Sequence, residues 1–274
     1  MSEPRPTTGE GWGNPAADDA PNVGLLSIRD LTVRYGGVIA VDSVSLDVEE
    51  GSFVGLIGPN GAGKTTLIDA VCGFCSCRGA VTFENERIDH LPAHARSRRG
   101  LARTFQAGEL FDDLTVADNI LVGSYRGSFA GAIGQIVRGR TQALSPELLD
   151  LLDRFGLVDE RDREVRSLSV GMRKLVAVAR ALAARPRLVL LDEPAAGLDS
   201  TESHRLGETL LRLPDIGVTV VLVDHDVDLV LGVCDVVHVL DTGRVIASGP
   251  GDVIRSDPNV MEAYLGTKAL EHAR

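Results

Sequence analysis

The sequence predicts an α/β fold built on a parallel central sheet. Two apolar runs, residues 188–191 and 218–223, are typical of strands that are buried on both faces. A helical pattern precedes each run, which gives the strand–helix alternation of a doubly wound sheet. The third observation is a strand–loop–helix unit at 52–71, in which a glycine-rich loop joins a short apolar strand to the start of a helix.

The first elements of the chain differ from this parallel pattern. Residues 1–24 are rich in Pro, Gly, Asp and Ala and lack apolar periodicity, which predicts a disordered leader. Polar and apolar residues then alternate at 26–29, 31–35 and 44–48. This alternation predicts antiparallel strands with one buried face.

The middle of the chain is expected to be mostly helical. Residues 80–84 and 87–88 predict one more short strand pair, after which residues 93–168 have a helical and polar character. Two helices are expected to begin after Thr115 and Ser145, whose hydroxyls are candidate caps.

The end of the chain predicts a hairpin followed by a helix. Residues 236–240 and 244–247 read as two strands around a short turn with glycine, and 260–265 reads as a short helix.

The composition limits the classes of function. The chain has 274 residues, is 44% hydrophobic and carries a formal net charge of −11. An acidic chain is a poor candidate for binding nucleic acid by long-range attraction. No apolar run reaches the roughly 18 residues that span a bilayer, and no signal peptide is evident. We therefore expect a cytoplasmic protein that reaches a membrane only through other subunits.

The cysteines form one cluster and one outlier. Cys72, Cys75 and Cys77 have the spacing C-x-x-C-x-C, and Cys234 is remote in sequence. Zinc prefers four ligands, usually in paired motifs, so a set of reduced, partly buried thiols is favoured over a metal site.

The glycine-rich loop carries the strongest motif. It fits G-x-x-x-x-G-K-[ST], in which backbone N–H groups and a helix N-terminus hold phosphate oxygens. Lys64 is expected to reach the β- and γ-phosphates and Thr65 to bind Mg²⁺. The alternative is a glycine-rich turn that happens to contain a lysine. The predicted nucleotide-binding residues here are Gly58, Pro59, Asn60, Gly61, Ala62, Gly63, Lys64, Thr65 and Thr66.

Three further polar residues follow the two apolar runs. Asp192 and Glu193 come directly after the first run, at the strand end where α/β sheets bind ligands. Asp192 is a candidate Mg²⁺ partner of Thr65, and Glu193 could accept a proton from an attacking water. His225 follows the second run and could bond a γ-phosphate oxygen, although a histidine between two aspartates is more often a solvated loop residue.

The order of the motifs resembles the ATP-binding subunits of ABC transporters, over about residues 25–266. The resemblance implies a P-loop NTPase core, an antiparallel β subdomain, a helical subdomain at about 107–185 and a tail at 267–274. It also implies roles for residues outside the loop. These are Tyr35 stacking on adenine, Gln106 as the Q-loop glutamine at Mg²⁺ and the γ-phosphate, Ser169 and Gly171 in the signature, Asp199 in the D-loop, Glu193 as the catalytic glutamate and His225 as the switch histidine.

Within that family the chain is most similar to branched-chain amino-acid importer ATPases of the LivG type. Residues 100–106, 110–120 and 257–266 carry this similarity. ATPases for amide and urea import share these motifs, and those for lipopolysaccharide export are similar. The signature departs from the common Leu-Ser-Gly-Gly-Gln at Val170 and Met172, and Met172 lacks an amide that could bond the partner's nucleotide ribose.

The resemblance also implies partners. A second ATPase subunit would supply its signature to the ATP of the first, because this chain shows no clear arginine finger. Permease subunits would hold the dimer at the membrane, and an extracytoplasmic binding protein would act indirectly. A non-transport ABC ATPase of DNA repair or translation is the competing class, but the chain has no sustained heptads and only one cassette. Four arginines before Gln106 predict a solvated helical face, in preference to a contact with a permease loop or acidic lipid: Arg96, Arg98, Arg99 and Arg103.

Overall fold

The computed structural model describes residues 24–104, 110–124 and 144–271. Gln106 and almost all of the predicted leader therefore lie outside the described residues. The strands are β1 (Leu26–Tyr35), β2 (Val38–Val48), β3 (Phe53–Ile57), β4 (Arg78–Phe83), β5 (Glu86–Arg87), β6 (Leu101–Arg103), β7 (Leu188–Asp192), β8 (Thr219–Val223), β9 (Val236–Asp241) and β10 (Arg244–Gly249). The helices are α1 (Lys64–Cys72), α2 (Ala93–Arg98), α3 (Val116–Ser124), α4 (Pro146–Arg154), α5 (Val170–Leu182), α6 (Ser200–Leu210), α7 (Val227–Val233), α8 (Gly251–Ser256) and α9 (Pro258–Glu271).

The strands form two sheets. The larger sheet has the order β10-β9-β3-β8-β7-β6, and only its β9–β10 edge is antiparallel. The smaller sheet, β2-β1-β4-β5, is antiparallel throughout. Both predictions are confirmed, because the apolar runs form neighbouring parallel strands and the alternating segments pair antiparallel.

The parallel sheet is buried on both faces because its side chains alternate between two hydrophobic clusters. Along β8, Val220 and Leu222 join the cluster beneath helices α3 to α7. Val221 and Val223 of the same strand join the cluster that lies against α1 and the antiparallel sheet. Every residue of β3, β7 and β8 is buried, as continuous apolar runs predict.

The predicted helix starts after Thr115 and Ser145 are confirmed. The Thr115 hydroxyl accepts from Asp118 N at 3.1 Å, and the Ser145 hydroxyl accepts from Leu148 N at 3.4 Å. Each bond satisfies one of the N–H groups that a helix start leaves unpaired.

One strand was missed by the sequence reasoning. The helical character assigned to 93–168 hides β6, which pairs in parallel with β7 through Leu101 and Leu188. Three residues are too short for a periodic signal, so the tertiary pairing with β7 decides this strand.

The hairpin of β9 and β10 is confirmed. Its turn residues Thr242 and Gly243 both have positive φ, which is typical of a two-residue hairpin loop. The helix expected at 260–265 is longer than predicted and extends from Pro258 to Glu271. Among the described residues, no helix is both long and apolar enough to cross a bilayer. The bounds of a helical subdomain remain a prediction.

Candidate nucleotide-binding and hydrolysis site

The phosphate loop connects the end of β3 to the start of α1. Gly58, Gly61 and Gly63 all have positive φ, at 151°, 81° and 102°, which glycine adopts without a steric penalty. A Cβ added to Gly58 would lie 2.0 Å from the Leu240 carbonyl oxygen, and one added to Gly63 would lie 2.4 Å from that of Ala40. The loop therefore requires glycine at these two positions, because neighbouring backbone closes off the space.

The start of α1 is open for an anion. Gly63 is its N-cap, and no side chain of the described part of the chain caps it. The first N–H groups of a helix lack intrahelical partners and carry the positive end of its dipole. Backbone N–H groups around Lys64 and Thr65 can therefore hold phosphate oxygens.

Lys64 is buried against the loop that it follows. Its ammonium donates to the carbonyl oxygens of Gly58, at 2.7 Å, and Pro59, at 3.1 Å. Burial lowers the pKa of Lys64, and the carboxylates of Glu193 and Asp192 oppose this shift. The ammonium thus lies in the field of the acidic residues that follow β7.

Asp192 ends β7 with one carboxylate oxygen paired and the other open. Its Oδ2 accepts from Arg103 at 2.8 Å, and its backbone N–H donates to the Thr104 hydroxyl at 3.1 Å. Its Oδ1 is buried and has no hydrogen-bond partner among the described residues. An orphaned buried carboxylate oxygen fits an Mg²⁺ site, because Mg²⁺ takes carboxylate oxygen either directly or through water.

Glu193 has an unusual backbone conformation. Its φ is 50°, in the left-handed region, which costs a non-glycine residue on the order of 1 kcal/mol. Its N–H donates to Val223 O at 2.7 Å, and its carbonyl accepts from the buried Lys174 ammonium at 3.2 Å. These two bonds fix the backbone at the point where the Glu193 side chain leaves the sheet.

His225 lies at the end of the next strand, and its side chain is close to a buried aspartate. Its side chain is 58% exposed, and its Nδ1 lies 3.4 Å from Asp224 Oδ1. Asp224 is fully buried and accepts from the backbone N–H groups of Ala195, at 2.9 Å, and Asp226, at 3.0 Å. Asp224 thereby joins the loop after β8 to the loop after Glu193. The sequence reasoning missed this role, although a carboxylate directly after an apolar run was a usable signal.

Tyr35 ends β1 beside α1. Half of its surface is exposed, and a hydrogen bond with the Cys75 thiol is the main cause of its raised pKa. The four thiols of the chain are buried or half-buried, as expected: Cys72 and Cys234 are buried, and Cys75 and Cys77 are partly so. Tyr35 therefore offers an exposed aromatic ring near the phosphate loop.

The signature residues lie next to the D-loop residue Asp199, and each group is at the start of a helix on the surface. Ser169 is the N-cap of α5 and accepts from Met172 N at 3.3 Å. Asp199 caps α6 in a capping box with Glu202. A Cβ on Gly171 would lie 2.8 Å from the Glu202 carboxylate, so the two helix starts are adjacent. Among the described residues, no hydrogen bond joins Ser169 to the phosphate loop.

The arginine cluster predicted as a solvated face is only half exposed. Arg98 and Arg99 are exposed, but Arg96 is 2% exposed and Arg103 is also nearly buried. The prediction is wrong for Arg96 because its guanidinium donates to the carbonyl oxygens of Ala70 and Val71, both at 2.7 Å, near the end of α1. It is wrong for Arg103 because that side chain is held by carboxylates.

A groove lies beside Arg103. Its volume is about 390 Å³. Its lining includes Cys72, Phe74 and Arg103, from around α1 and β6, and Phe111, Val122 and Arg180, from around α3 and α5. The groove thus separates the sheet core from helices α3 and α5.

Comparison with known proteins places the chain in a family. The family model described as "ABC transporter" matches residues 41–196, and that described as "Branched-chain amino acid ATP-binding cassette transporter" matches residues 244–269. The chain is 37% identical over 252 residues to the high-affinity branched-chain amino acid transport ATP-binding protein LivG of Salmonella typhimurium, covering 88% of this chain and 98% of that protein. It is also 37% identical over 244 residues to the lipopolysaccharide export system ATP-binding protein LptB of Escherichia coli, covering 88% and 97%.

Solved structures agree with this placement. A crystal structure of an ATP-binding cassette of an ABC transporter in its ADP conformation has a TM-score of 0.78 and 31% identity, and the match covers 88% of this chain and 98% of that chain. A dimeric structure of a bacterial ABC transporter cassette has a TM-score of 0.67 and 27% identity, covering 82% and 98%. The chain belongs to the ABC transporter family, as one of its ATP-binding cassettes.

Proposed function

We propose that this chain is the ATP-hydrolysing subunit of an ABC importer for branched-chain amino acids. One observation supports hydrolysis above all others. The phosphate loop, the open carboxylate oxygen of Asp192 and the fixed backbone of Glu193 converge at one edge of the parallel sheet. Nucleotide binding alone would need the loop but neither of the two carboxylates.

The nucleotide is held mainly by the backbone. N–H groups of residues 60–66 surround the phosphates, and Tyr35 stacks on adenine. The Lys64 ammonium exchanges the carbonyl oxygens of Gly58 and Pro59 for β- and γ-phosphate oxygens. This exchange needs little movement because Lys64 already lies beside the loop.

Thr65, Asp192 and Gln106 would hold Mg²⁺, which when bound supplies positive charge to the phosphate oxygens. Thr65 offers an exposed hydroxyl at the start of α1, and Asp192 offers its open Oδ1. Gln106 completes this proposed set from the family resemblance, since it lies outside the described residues.

The acid–base step rests on Glu193 and His225. Glu193 orients the attacking water and accepts its proton. His225 donates to a γ-phosphate oxygen, and Asp224 orients its ring from the buried side. Because Asp224 also binds the backbone of Ala195, the two catalytic loops keep a fixed spacing.

A second subunit completes the site. Ser169, Gly171 and Asp199 lie at exposed or partly exposed helix starts, and we propose that they serve the ATP of a partner cassette. The helix start at Ser169 would add positive dipole to the partner's γ-phosphate. An isolated subunit should therefore hydrolyse ATP slowly, with a rate per subunit that rises with protein concentration.

Permease subunits are the proposed membrane partners. Among the described residues, the groove beside Arg103 is lined by both apolar and basic side chains, including Phe74 and Arg180. A short helical loop of a permease fits such a surface, and it would bring the cassette to the membrane. An extracytoplasmic binding protein would act only through the permease.

The change Glu193→Gln tests the hydrolysis proposal. The amide keeps the shape of the side chain but cannot accept the proton, so turnover should fall by about 10²- to 10⁴-fold while ATP still binds. Phosphate release and ATP titration measure the two quantities. The matched control is Glu208→Gln, an exposed glutamate on α6, which should leave both unchanged. Unchanged turnover in Glu193→Gln would exclude Glu193 as the base.

The cargo is proposed from the end of the chain. Residues 244–269 match the branched-chain amino acid family model, whereas whole-chain identity does not separate LivG from LptB. Amide, urea and lipopolysaccharide remain alternative cargoes. Co-expression with the permease and binding-protein genes next to this gene should give ATP-dependent uptake of labelled leucine that the Glu193→Gln variant lacks. Uptake of an amide or urea instead, or neighbouring genes for an exporter, would change the cargo and leave the ATPase proposal intact.

A further inference from the structure

Among the described residues, Arg103 contacts two carboxylates and one aromatic ring. It ends β6, and its side chain is 8% exposed. One guanidinium nitrogen donates to Asp192 Oδ2 at 2.8 Å, and another donates to Asp69 Oδ1. The guanidinium carbon also lies 5.7 Å from the centre of the Phe74 ring. An arginine with so many contacts has little rotational freedom, so it can fix the groups that it binds.

The two carboxylates that Arg103 binds belong to elements with different proposed roles. Asp69 lies on α1, the helix that begins at the phosphate loop. Asp192 ends β7 and is the proposed metal carboxylate. Arg103 therefore connects the helix of the phosphate loop to the carboxylate beside it.

The bond from Arg103 leaves Asp192 in one orientation. Oδ2 is used by the guanidinium, and Oδ1 is the oxygen without a partner. A carboxylate that binds metal is usually oriented by such an outer hydrogen bond, and changes to that bond commonly weaken metal binding 10- to 100-fold.

We propose that Arg103 is a positioning residue that orients Asp192 for Mg²⁺. This inference rests on the proposed function, since it assumes that Asp192 serves Mg²⁺.

The geometry favours arginine over lysine at this position. A guanidinium is planar and presents several donors, so it can bind Asp69 and Asp192 at the same time. The ammonium of a lysine is a single charged centre on a flexible stem. Arg103→Lys should therefore keep the charge but lose the fixed orientation of Asp192.

The test measures metal binding rather than turnover. Mn²⁺ can replace Mg²⁺ and be counted by electron paramagnetic resonance in the presence of ATP, while ATP affinity in EDTA is measured separately. Arg103→Met should lower the Mn²⁺ affinity of the ATP complex about 10- to 100-fold. ATP affinity in EDTA should stay within about two-fold, because the phosphate loop is unchanged.

Three further variants complete the design. Arg103→Lys should show an intermediate loss, and Asp69→Asn a smaller one, because the Arg103–Asp192 bond remains. The matched control is Arg98→Met, which changes an exposed arginine five residues before Arg103 and should match the wild type. If Arg103→Met does not fold, the Mn²⁺ affinities of Arg103→Lys and Asp69→Asn still test the proposal.

Two outcomes would overturn the inference. One is wild-type Mn²⁺ affinity in the folded Arg103 variants, and the other is an equal loss of ATP affinity in EDTA, which would mean a purely structural role. A wild-type protein that binds ATP equally with and without metal would instead overturn the proposed role of Asp192 in metal binding, and with it the premise of this inference.

Discussion

Replacing Arg96 with methionine should destabilise the fold strongly although Arg96 touches no proposed catalytic residue. Its guanidinium is buried and donates to four backbone carbonyl oxygens at 2.7 to 2.9 Å. Two of these acceptors, Ala70 and Val71, lie near the end of α1, and the other two are Asp89 and Leu91. Arg96 therefore satisfies the Val71 carbonyl near the end of the helix and gives the Ala70 carbonyl a second donor beside the Gly73 N–H.

The size of the effect follows from two opposing contributions. Each hydrogen bond from a charged donor contributes roughly 1.5–3 kcal/mol, so four such bonds give about 6–12 kcal/mol. Removing the buried charge offsets several kcal/mol of this loss, because the desolvation of the guanidinium no longer opposes folding. We expect a net loss of about 3 kcal/mol in the free energy of unfolding. For a domain of this size that corresponds to a melting temperature lower by roughly 6–12 °C.

Urea unfolding followed by far-ultraviolet circular dichroism measures the effect. Arg98→Met is the matched control, because Arg98 lies on the same helix and is exposed. Its free energy of unfolding should stay within about 0.5 kcal/mol of the wild type. Equal unfolding midpoints for Arg96→Met and Arg98→Met would refute the reasoning, since the four carbonyl bonds would then contribute nothing.

Three other changes test separate parts of the molecule. Gly63→Ala should reduce ATP affinity at least 10-fold, measured by titration, because its Cβ would lie 2.4 Å from Ala40 O; wild-type affinity would contradict the structure of the loop. Ser169→Ala should lower the free energy of unfolding by about 1 kcal/mol, because the helix cap is lost. It should also slow ATP turnover without weakening ATP binding by the isolated subunit. An equal loss of ATP binding would argue against the proposal that Ser169 contacts the ATP of a partner cassette. Asp89→Asn should destabilise the protein at neutral pH but not near pH 2. Burial alone would raise the pKa of Asp89, but Arg87 lowers it overall. Its contribution is therefore present above its ordinary pKa and is lost as pH falls through the lower folded value. A difference in urea midpoint that persists in strong acid would contradict this.

The parallel sheet was predictable because its signal is local. Residues 188–191 and 218–223 are continuous apolar runs, and a strand buried on both faces needs such a run. The same runs place Asp192 and His225 at the ligand edge, because polar residues directly after buried strands emerge there. The glycine positions of the phosphate loop were predictable for a similar reason, since its backbone needs positive φ.

Contacts between distant segments were not predictable in this way. Arg96, Arg98, Arg99 and Arg103 look alike in sequence, yet two are buried and two are exposed. The difference depends on carbonyl and carboxylate groups that other segments bring to the same place. Asp224 is a comparable case, because its role depends on the backbone N–H of Ala195, which follows a different strand.

The sequence by itself determined the sheet, the phosphate loop and the acidic residues at its edge, because burial pattern and glycine conformation are local properties. Only the tertiary structure decided which charges meet. It paired Arg103 with Asp192 across 89 positions of the chain and left one oxygen of that carboxylate open. Buried charges require partners, and in this protein those partners come from segments that are close only after folding.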